Sequence, residues 1–574
     1  MACGVKHTSQ AGLGRYRGLN LVSASADTDC LSNESPAHPA RPKPRLRCGF
    51  GLMHAVAGIA SRVEAFYNTK TPFRIYHGST NSTRKSPRRH DNIVDISGLV
   101  RVLSIDATKK IAYVEPNLPM DQLVAATLKM CLLPPVVMEF PGITAGGGFA
   151  GTSGESSSFK HGLFDRTVQA IEIVLGNGEV TMASPDDHQT AKLFHAAAAS
   201  FGTLGVVTLL ALELVDVKPF VELIYKRVAS ADEAIMYFEA GAKEGRLDYM
   251  DGILFAENRG VVCLGKLADA VPQSAAKPRT FSQPWDDWFY INAETMLADK
   301  TRSEWIEYIP IQDYLFRYER GAFWISKYTY QYFAVPLNRF TRWLLDTYTH
   351  TRIMYSALHH SGLSSEYIIQ DVAVPYHNAA AFVSHLDKTF QQYPLWLCPL
   401  RLRGKSPTSA YGLLAEPPVA QADASGGAPV SQPEMMLNFG VWGPLDKHND
   451  FVTWNKAFEA KINALGGEKW LYSHTFYTED EFWSMHGNRE RYENTRAKYH
   501  ASSLPSIYDK VQATEGSLGD SVPQDWRGWL YVMLWSIWPL KGLYGWLLCV
   551  ISEDYLLPQK RVSMTLANLE RVHT

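Results

Sequence analysis

Residues 140–162 read FPGITAGGGFAGTSGESSSFKHG, a pattern suited to holding an anion. Gly146, Gly147 and Gly148 are consecutive, with Gly142, Gly151 and Gly154 on either side. Thr144, Thr152, Ser153, Ser156, Ser157 and Ser158 add hydroxyls. Glycine lets a backbone approach a ligand closely and adopt positive φ. Successive N–H groups beside hydroxyls make a concave site that fits a pyrophosphate. The chemistry indicated is the binding of a cofactor with a diphosphate bridge; the plain alternative is a flexible loop of small residues. Two more turns of this kind occur, one with His77, Gly78, Ser79, Thr80 and Asn81, the other with Gly202, Thr203 and Gly205. Lys160, His161 and Gly162 close the glycine-rich stretch, where the two side chains either contact the diphosphate or face solvent. GITAGG is not the dinucleotide fingerprint G-x-G-x-x-G, because no strand–helix crossover or ribose-binding acid follows at the required distance.

The elements that must position these turns belong to an α+β domain over 53–218. Apolar spacing predicts a helix over 55–67 and another over 119–130, with Pro119 in its first turn. Segments 92–99 and 110–117 are strand-like. Residues 171–184 read as a hairpin, with Asn177-Gly178 supplying the positive φ of a tight turn. A helix over 189–200 and a long apolar strand over 200–215 complete the domain. Residues 219–515 form a second α+β, substrate or cap domain. It is rich in aromatics (Trp285, Trp288, Phe289, Tyr290, Trp305, Phe323, Trp324), which suit a flat apolar substrate and equally an ordinary core. The Pro/Gly/Ala/Ser stretch 403–433 is expected to be a disordered insertion. Residues 1–52 lack an apolar period and read as disordered, with a mitochondrial transit peptide or a true start at Met53 as the alternatives.

The chain has 574 residues and a net charge of −2. That balance, with no basic stripe, argues against a nucleic-acid partner. The seven cysteines, at 3, 30, 48, 131, 263, 398 and 549, include no CxxC pair, so neither a disulfide scaffold nor a metal site is expected. The tail, 516–574, contains WLYVMLWSIWPLKGLYGWLLCVI at 529–551. It is long enough to span a bilayer, but Lys541 near its middle opposes that and its tryptophans favour the interface. A hairpin bent at 539–542 and dipping into one leaflet is expected, against a span or a buried helix.

The order of the glycine turns resembles the FAD-binding domain of the vanillyl-alcohol oxidase and p-cresol methylhydroxylase superfamily, where the flavin lies between two small α+β subdomains. Within it, the chain is similar to the Δ24-sterol reductases of the DIMINUTO type. The resemblance rests on GITAGG, GESSSFKHGLF, ASFGTLG, EYIPIQDY, QDVAVP, YPLWLCPL, DEFW and SIYDKV, in order from about residue 74 to 511. It implies NADPH-dependent reduction of a Δ24 sterol double bond through FAD, with a sterol and NADPH as partners, on the cytosolic face of the endoplasmic reticulum membrane. NADPH would reduce FAD and leave before the sterol binds. The alternative keeps the fold but acts as an oxidase or ene-reductase on a terpenoid or other secondary metabolite. Where many superfamily members tether FAD through histidine, RIYHGST places Thr80; the displaced His77 does not restore the bond, so FAD is expected to be non-covalent. Tyr472, Glu307 and Lys498 are the catalytic candidates, Tyr472 as proton donor and Lys498 as a stabiliser of reduced-flavin charge. His474, Tyr308 and Tyr492 have suitable chemistry for the proton.

Overall fold

The computed structural model describes residues 50–78, 90–401, 435–446, 448–473, 475–512, 533 and 537–552. Residues 1–49, Ser79, Thr80, Asn81, the 403–433 insertion, His474 and most of the tail lie outside these.

Leu52, Val56, Ile59, Val63 and Phe66 recur at intervals of four and three, and they form the buried stripe of the helix Phe50–Asn68. The 171–184 hairpin is present as strands Val168–Leu175 and Val180–Ala183. Gly178 turns between them at φ +90°, and a Cβ there would meet Glu64 Cβ at 2.8 Å, so this glycine serves both the turn and the helix packed on it. Five antiparallel strands make the first sheet, in the order Val102–Asp106, Ile111–Val114, Gly205–Glu213, Val168–Leu175, Val180–Ala183. Its middle strand, Gly205–Glu213, is apolar and buried along most of its length. The strand expected over 92–99 shrinks to Ile93–Asp95, paired in parallel with Arg74–Tyr76. Asp95 Oδ1 accepts from the Ser97 amide at 2.8 Å and turns the chain there.

The second sheet has eight antiparallel strands, in the order Glu304–Pro310, Phe220–Val228, Arg259–Ala268, Tyr249–Ala256, Leu395–Arg401, Met435–Pro444, Tyr367–Pro375, Glu468–Lys469. Helices Ala231–Glu244, Ala379–Thr389 and Phe451–Ala464 bury Phe238, Phe382 and Phe458 in one core with Leu397 and Phe439 of the sheet. Phe159, from the glycine-rich stretch, joins that core. After the last strand the chain laces back: Trp470 Nε1 donates to the Thr152 carbonyl at 3.0 Å, and Lys510 Nζ to the Phe201 carbonyl at 2.8 Å. The helix Leu540–Ser552 packs on Thr351–Ser361 through Gly545, where a Cβ would lie 2.5 Å from Ser361 Cβ. Among the described residues no helix is long and apolar enough to cross a membrane.

Candidate active site

A cavity of about 1010 Å³ runs between glycine-rich backbone and aromatic side chains. His77, Gly78, Gly142, Thr144, Gly146, Gly147, Gly151, Ser153, Gly154, Gly202 and Gly205 all line it. Ile75, Ile173 and Val207 add an apolar slot beside them. Phe323, Tyr355, Trp396, Trp442, Asp371 and Tyr472 belong to the same wall system. Of the seven aromatics singled out in the second domain, only Phe323 reaches the cavity. Trp288, Phe289, Tyr290 and Trp324 are core, and Trp285 is exposed.

The glycine run is a helix, Ala145–Gly151, and not an open loop. Thr144 caps it, its Oγ1 accepting from the Gly147 amide at 3.1 Å, and Thr152 ends it in the left-handed region at φ 48°. Glycine weakens a helix, so packing must explain three in a row. A Cβ on Gly146 would sit 2.8 Å from the Pro116 carbonyl, and one on Gly148 2.6 Å from Met138 Cε. This corrects the expected source of anion-binding amides. The amides of Ala145, Gly146 and Gly148 donate to the carbonyls of Leu118, Pro116 and Thr144, so the first turn of the helix is satisfied by its own chain. What the glycines give the cavity is a surface stripped of side chains.

Most of the expected hydroxyl and histidine contacts are also redirected. Ser156, Ser157 and Ser158 are buried away from the cavity. Ser158 Oγ accepts from the Glu155 amide at 2.8 Å and organises the next turn. Gly148, Thr152, His161, Gly162 and Thr203 do not line the cavity either, and Lys160 is ion-paired with Asp248 at 2.9 Å.

Tyr472 follows the short strand Glu468–Lys469. It lines the cavity, and its hydroxyl donates to Asp371 Oδ2 at 2.9 Å. The Trp470 bond to Thr152 fixes this segment to the end of the glycine helix, and the Trp470 amide donates to the Asp371 carbonyl at 3.0 Å. Asn438 Nδ2 donates to Asp371 Oδ1 at 3.3 Å. Burial pushes the Asp371 carboxyl up to about 7, against the opposing hydrogen bonds from Tyr472 and Asn438. Glu139, also in the wall, is pushed up to about 8 by burial, with Arg317 opposing and the charges of Asp251 and Asp371 adding. Two carboxyls near neutrality in one cavity make it a candidate acid–base site.

Glu307 and Lys498 are not part of this site. Glu307 accepts from Tyr225 Oη and Asn292 Nδ2, both at 2.9 Å, and pairs with Arg279 on a sheet-edge strand. Lys498 is exposed on the helix Arg489–Lys498, where its charge is solvated. Tyr308 donates to Glu222 at 2.7 Å, and Tyr492 Oη is held in the core by the Ile507 amide at 2.8 Å. Asp371, Glu139 and Asn438 escaped sequence reasoning. The first lies in QDVAVP and the second directly precedes the glycine-rich stretch, but burial, which makes them acids, has no local signature.

The aromatic wall is pinned from behind by charge. Asp251 Oδ2 accepts from Arg317 Nη2 at 2.7 Å, Tyr318 Oη at 2.8 Å and Trp396 Nε1 at 3.1 Å, all buried. Tyr318 stacks on Phe323 at 3.9 Å, and Phe323 meets Trp442 at 4.2 Å. Phe140 touches Phe323 at 5.5 Å, so the start of the glycine-rich stretch and the aromatic wall are in contact.

A flat cofactor fits this wall. Gly151 presents open space, since a Cβ there would meet nothing within 4 Å. Asn117 Oδ1, Glu155 Oε2, Glu139 Oε1 and Asn438 Oδ1 are buried in the lining without a hydrogen-bond partner among the described residues, which is rare unless a ligand supplies one. Asn117 Nδ2 meanwhile donates to the His77 carbonyl at 2.9 Å and holds the first turn in place. Gly151→Leu is therefore expected to fold normally, because glycine already weakens that helix by roughly 0.5–1 kcal/mol relative to alanine. Its side chain would fill the trough, and flavin absorbance per mole of purified protein should fall at least about tenfold. Unchanged absorbance would place the cofactor elsewhere.

Residues 53–184 match the FAD binding domain family. The chain is similar to the Delta(24)-sterol reductase of Macaca fascicularis, 26% identical over 431 residues, covering 74% of this chain and 78% of that protein. The Homo sapiens protein of that name is 25% identical with the same coverage. The Arabidopsis thaliana one is 29% identical, covering 73% of this chain and 76% of its own. The glycine-walled cavity, the matched FAD domain and these relatives agree: the chain is an FAD-dependent oxidoreductase related to the Delta(24)-sterol reductases.

Proposed function

We propose that this chain reduces the Δ24 double bond of a sterol side chain, with NADPH as the hydride source. The observation carrying the proposal is a cavity in which a side-chain-free glycine wall meets an aromatic and aliphatic compartment, with the Tyr472–Asp371 pair in its lining. The names of the relatives support the substrate class. Bound FAD would supply the two-electron carrier between nicotinamide and alkene. The remaining chemistry belongs to the protein. The glycine wall and the Ile75–Ile173–Val207 slot hold one flat face, and Phe323, Trp396 and Trp442 hold an apolar chain against it, excluding water. Positioning of this kind removes much of the barrier to a reaction with an unactivated alkene.

Reduction adds hydride to one carbon and a proton to its neighbour. The Tyr472 phenol alone is a weak acid here, because burial and the Asp371 charge hold its pKa well above the ordinary value. With Asp371 protonated, the phenol gives its proton to carbon as the carboxyl replaces it. The charge left behind then rests on a carboxylate and not on a phenolate. Purified protein incubated with NADPH and a Δ24-unsaturated sterol is expected to yield a product heavier by two hydrogens, with at least one deuterium incorporated when the solvent is D2O. A product lighter by two hydrogens would identify an oxidase and end the proposal.

A further inference from the structure

We infer that the helices Arg339–Leu344 and Leu540–Ser552 form a platform that lies in one leaflet of a membrane, with the cavity opening directly into the lipid. Among the described residues, 14 of the 22 large apolar side chains left exposed come from just two segments, 340–348 and 533–551. They are far apart in sequence but meet in space: the Tyr348 and Trp546 rings lie 5.6 Å apart. Phe340, Trp343 and Leu344 are 64%, 51% and 58% exposed, values that an isolated surface residue reaches but a contiguous cluster seldom does without a partner.

The same cluster rims the cavity. Tyr348, Leu543 and Trp546 are each more than a third exposed and also line the cavity, so they mark its mouth. That geometry selects the occupant. A folded protein or a second copy seated on the platform would stopper the mouth, whereas lipid covers it and also delivers an apolar ligand. This last step rests on the proposed sterol substrate. The chemistry of the surface agrees. Of the basic residues on the two helices, Arg339 is exposed, whereas Arg342 is buried against Asp287 and Lys541 is ion-paired with Glu366, so the contact with a bilayer is mainly apolar. Trp343, Trp538 and Trp546 supply the amphipathic rings favoured at that depth. Lys541 is kept near the protein by Glu366 at 2.6 Å. The helix Leu540–Ser552 packs against Thr351–Ser361, and among the described residues no helix is long and apolar enough to cross a membrane.

Flotation of the full chain with phosphatidylcholine–phosphatidylserine vesicles tests this without any sterol. The protein is expected to float, and to stay bound in about 1 M salt, where charge attraction is screened within about 3 Å. Trp343→Glu combined with Ile551→Glu, neither of which lines the cavity, should lower the bound fraction at least about tenfold. The combined variant should keep its turnover when the ligand is offered in cyclodextrin but lose it when the ligand is offered in vesicles. Hydrogen exchange on the unaltered chain guards against misfolding of the variant, with vesicle-dependent protection expected at 339–348 and 537–552. Absence of flotation, equal flotation of the variant, protection elsewhere, or protection in a lipid-free dimer would each overturn the inference. A chain that floats as expected but reduces no sterol would instead refute only the proposed substrate.

Discussion

Tyr472→Phe is expected to lower kcat by about 10²- to 10⁴-fold, the range that a positioned general acid contributes. KM for the apolar substrate should hardly change, because the ring and its packing remain. Asp371→Asn should fall in the same range, since the phenol then has no carboxyl behind it. Both variants should bind flavin, and NADPH should bleach it at the ordinary rate, so only the step that consumes the alkene slows. The pH profile separates a relay from a purely structural bond. The Asp371 carboxyl, raised from 3.8 to about 7, is protonated below neutrality and ionised above it. Turnover should therefore decline as pH rises through about 7, and that limb should vanish in Asp371→Asn. The same shift acts on stability with a definite sign. A buried acid with a raised pKa binds its proton more tightly folded than unfolded, so its contribution weakens as pH climbs from 3.8 towards 7. Glu139 adds the same trend from 4.5 to about 8. Urea unfolding between pH 5 and 9 (about two units either side of neutrality, in the range where native proteins are usually most stable) should show a shallower decline in Asp371→Asn. An unaltered kcat in Tyr472→Phe would sink the relay.

Asp251→Ala should cost about 3–5 kcal/mol of folding stability, the range for stranding one partner of a buried pair. Arg317 and Asp251 are at most 1% exposed, and Asp251 Oδ2 also receives Tyr318 and Trp396. Removing the carboxylate leaves a cation and two donors unsatisfied in the core. The damage should extend to the site, because Tyr318 and Trp396 brace Phe323 and Trp442. KM for an apolar substrate is expected to rise in any folded fraction. Asp251→Asn with Arg317→Met removes both charges together and should recover most of the stability, since burying an ion pair gains little over apolar packing. Chemical denaturation of the single and paired variants checks this. A single variant within 1 kcal/mol of the parent, well under the penalty for an unpaired buried charge, would contradict it.

Local patterns were readable where one short segment determines its own structure. The 171–184 hairpin follows from its Asn-Gly turn, and the helix Phe50–Asn68 from its apolar stripe. Glycine spacing located one wall of the cavity, but not its conformation: Thr144 closes a helix that glycines alone would not favour. Tyr472 could be picked out in its segment, and Asp371 could not, because 101 positions separate the partners. Glu307 is a candidate by its chemistry within a family-like segment, yet Arg279, Tyr225 and Asn292 already occupy it. A carboxyl becomes an acid near pH 7 through what surrounds it, and Asp371 and Glu139 acquire those surroundings only after distant strands have joined.

Contributors to the cavity wall stretch from Arg74 to Trp546, and the Trp470 and Lys510 bonds tie late-made segments to early ones. A ribosome must therefore deliver nearly the whole polypeptide before the coenzyme has a complete berth. The glycine helix would emerge early and wait, exposed, for hundreds of codons. Premature stops upstream of Lys510 should yield an empty, protease-sensitive fragment, and not a sluggish enzyme.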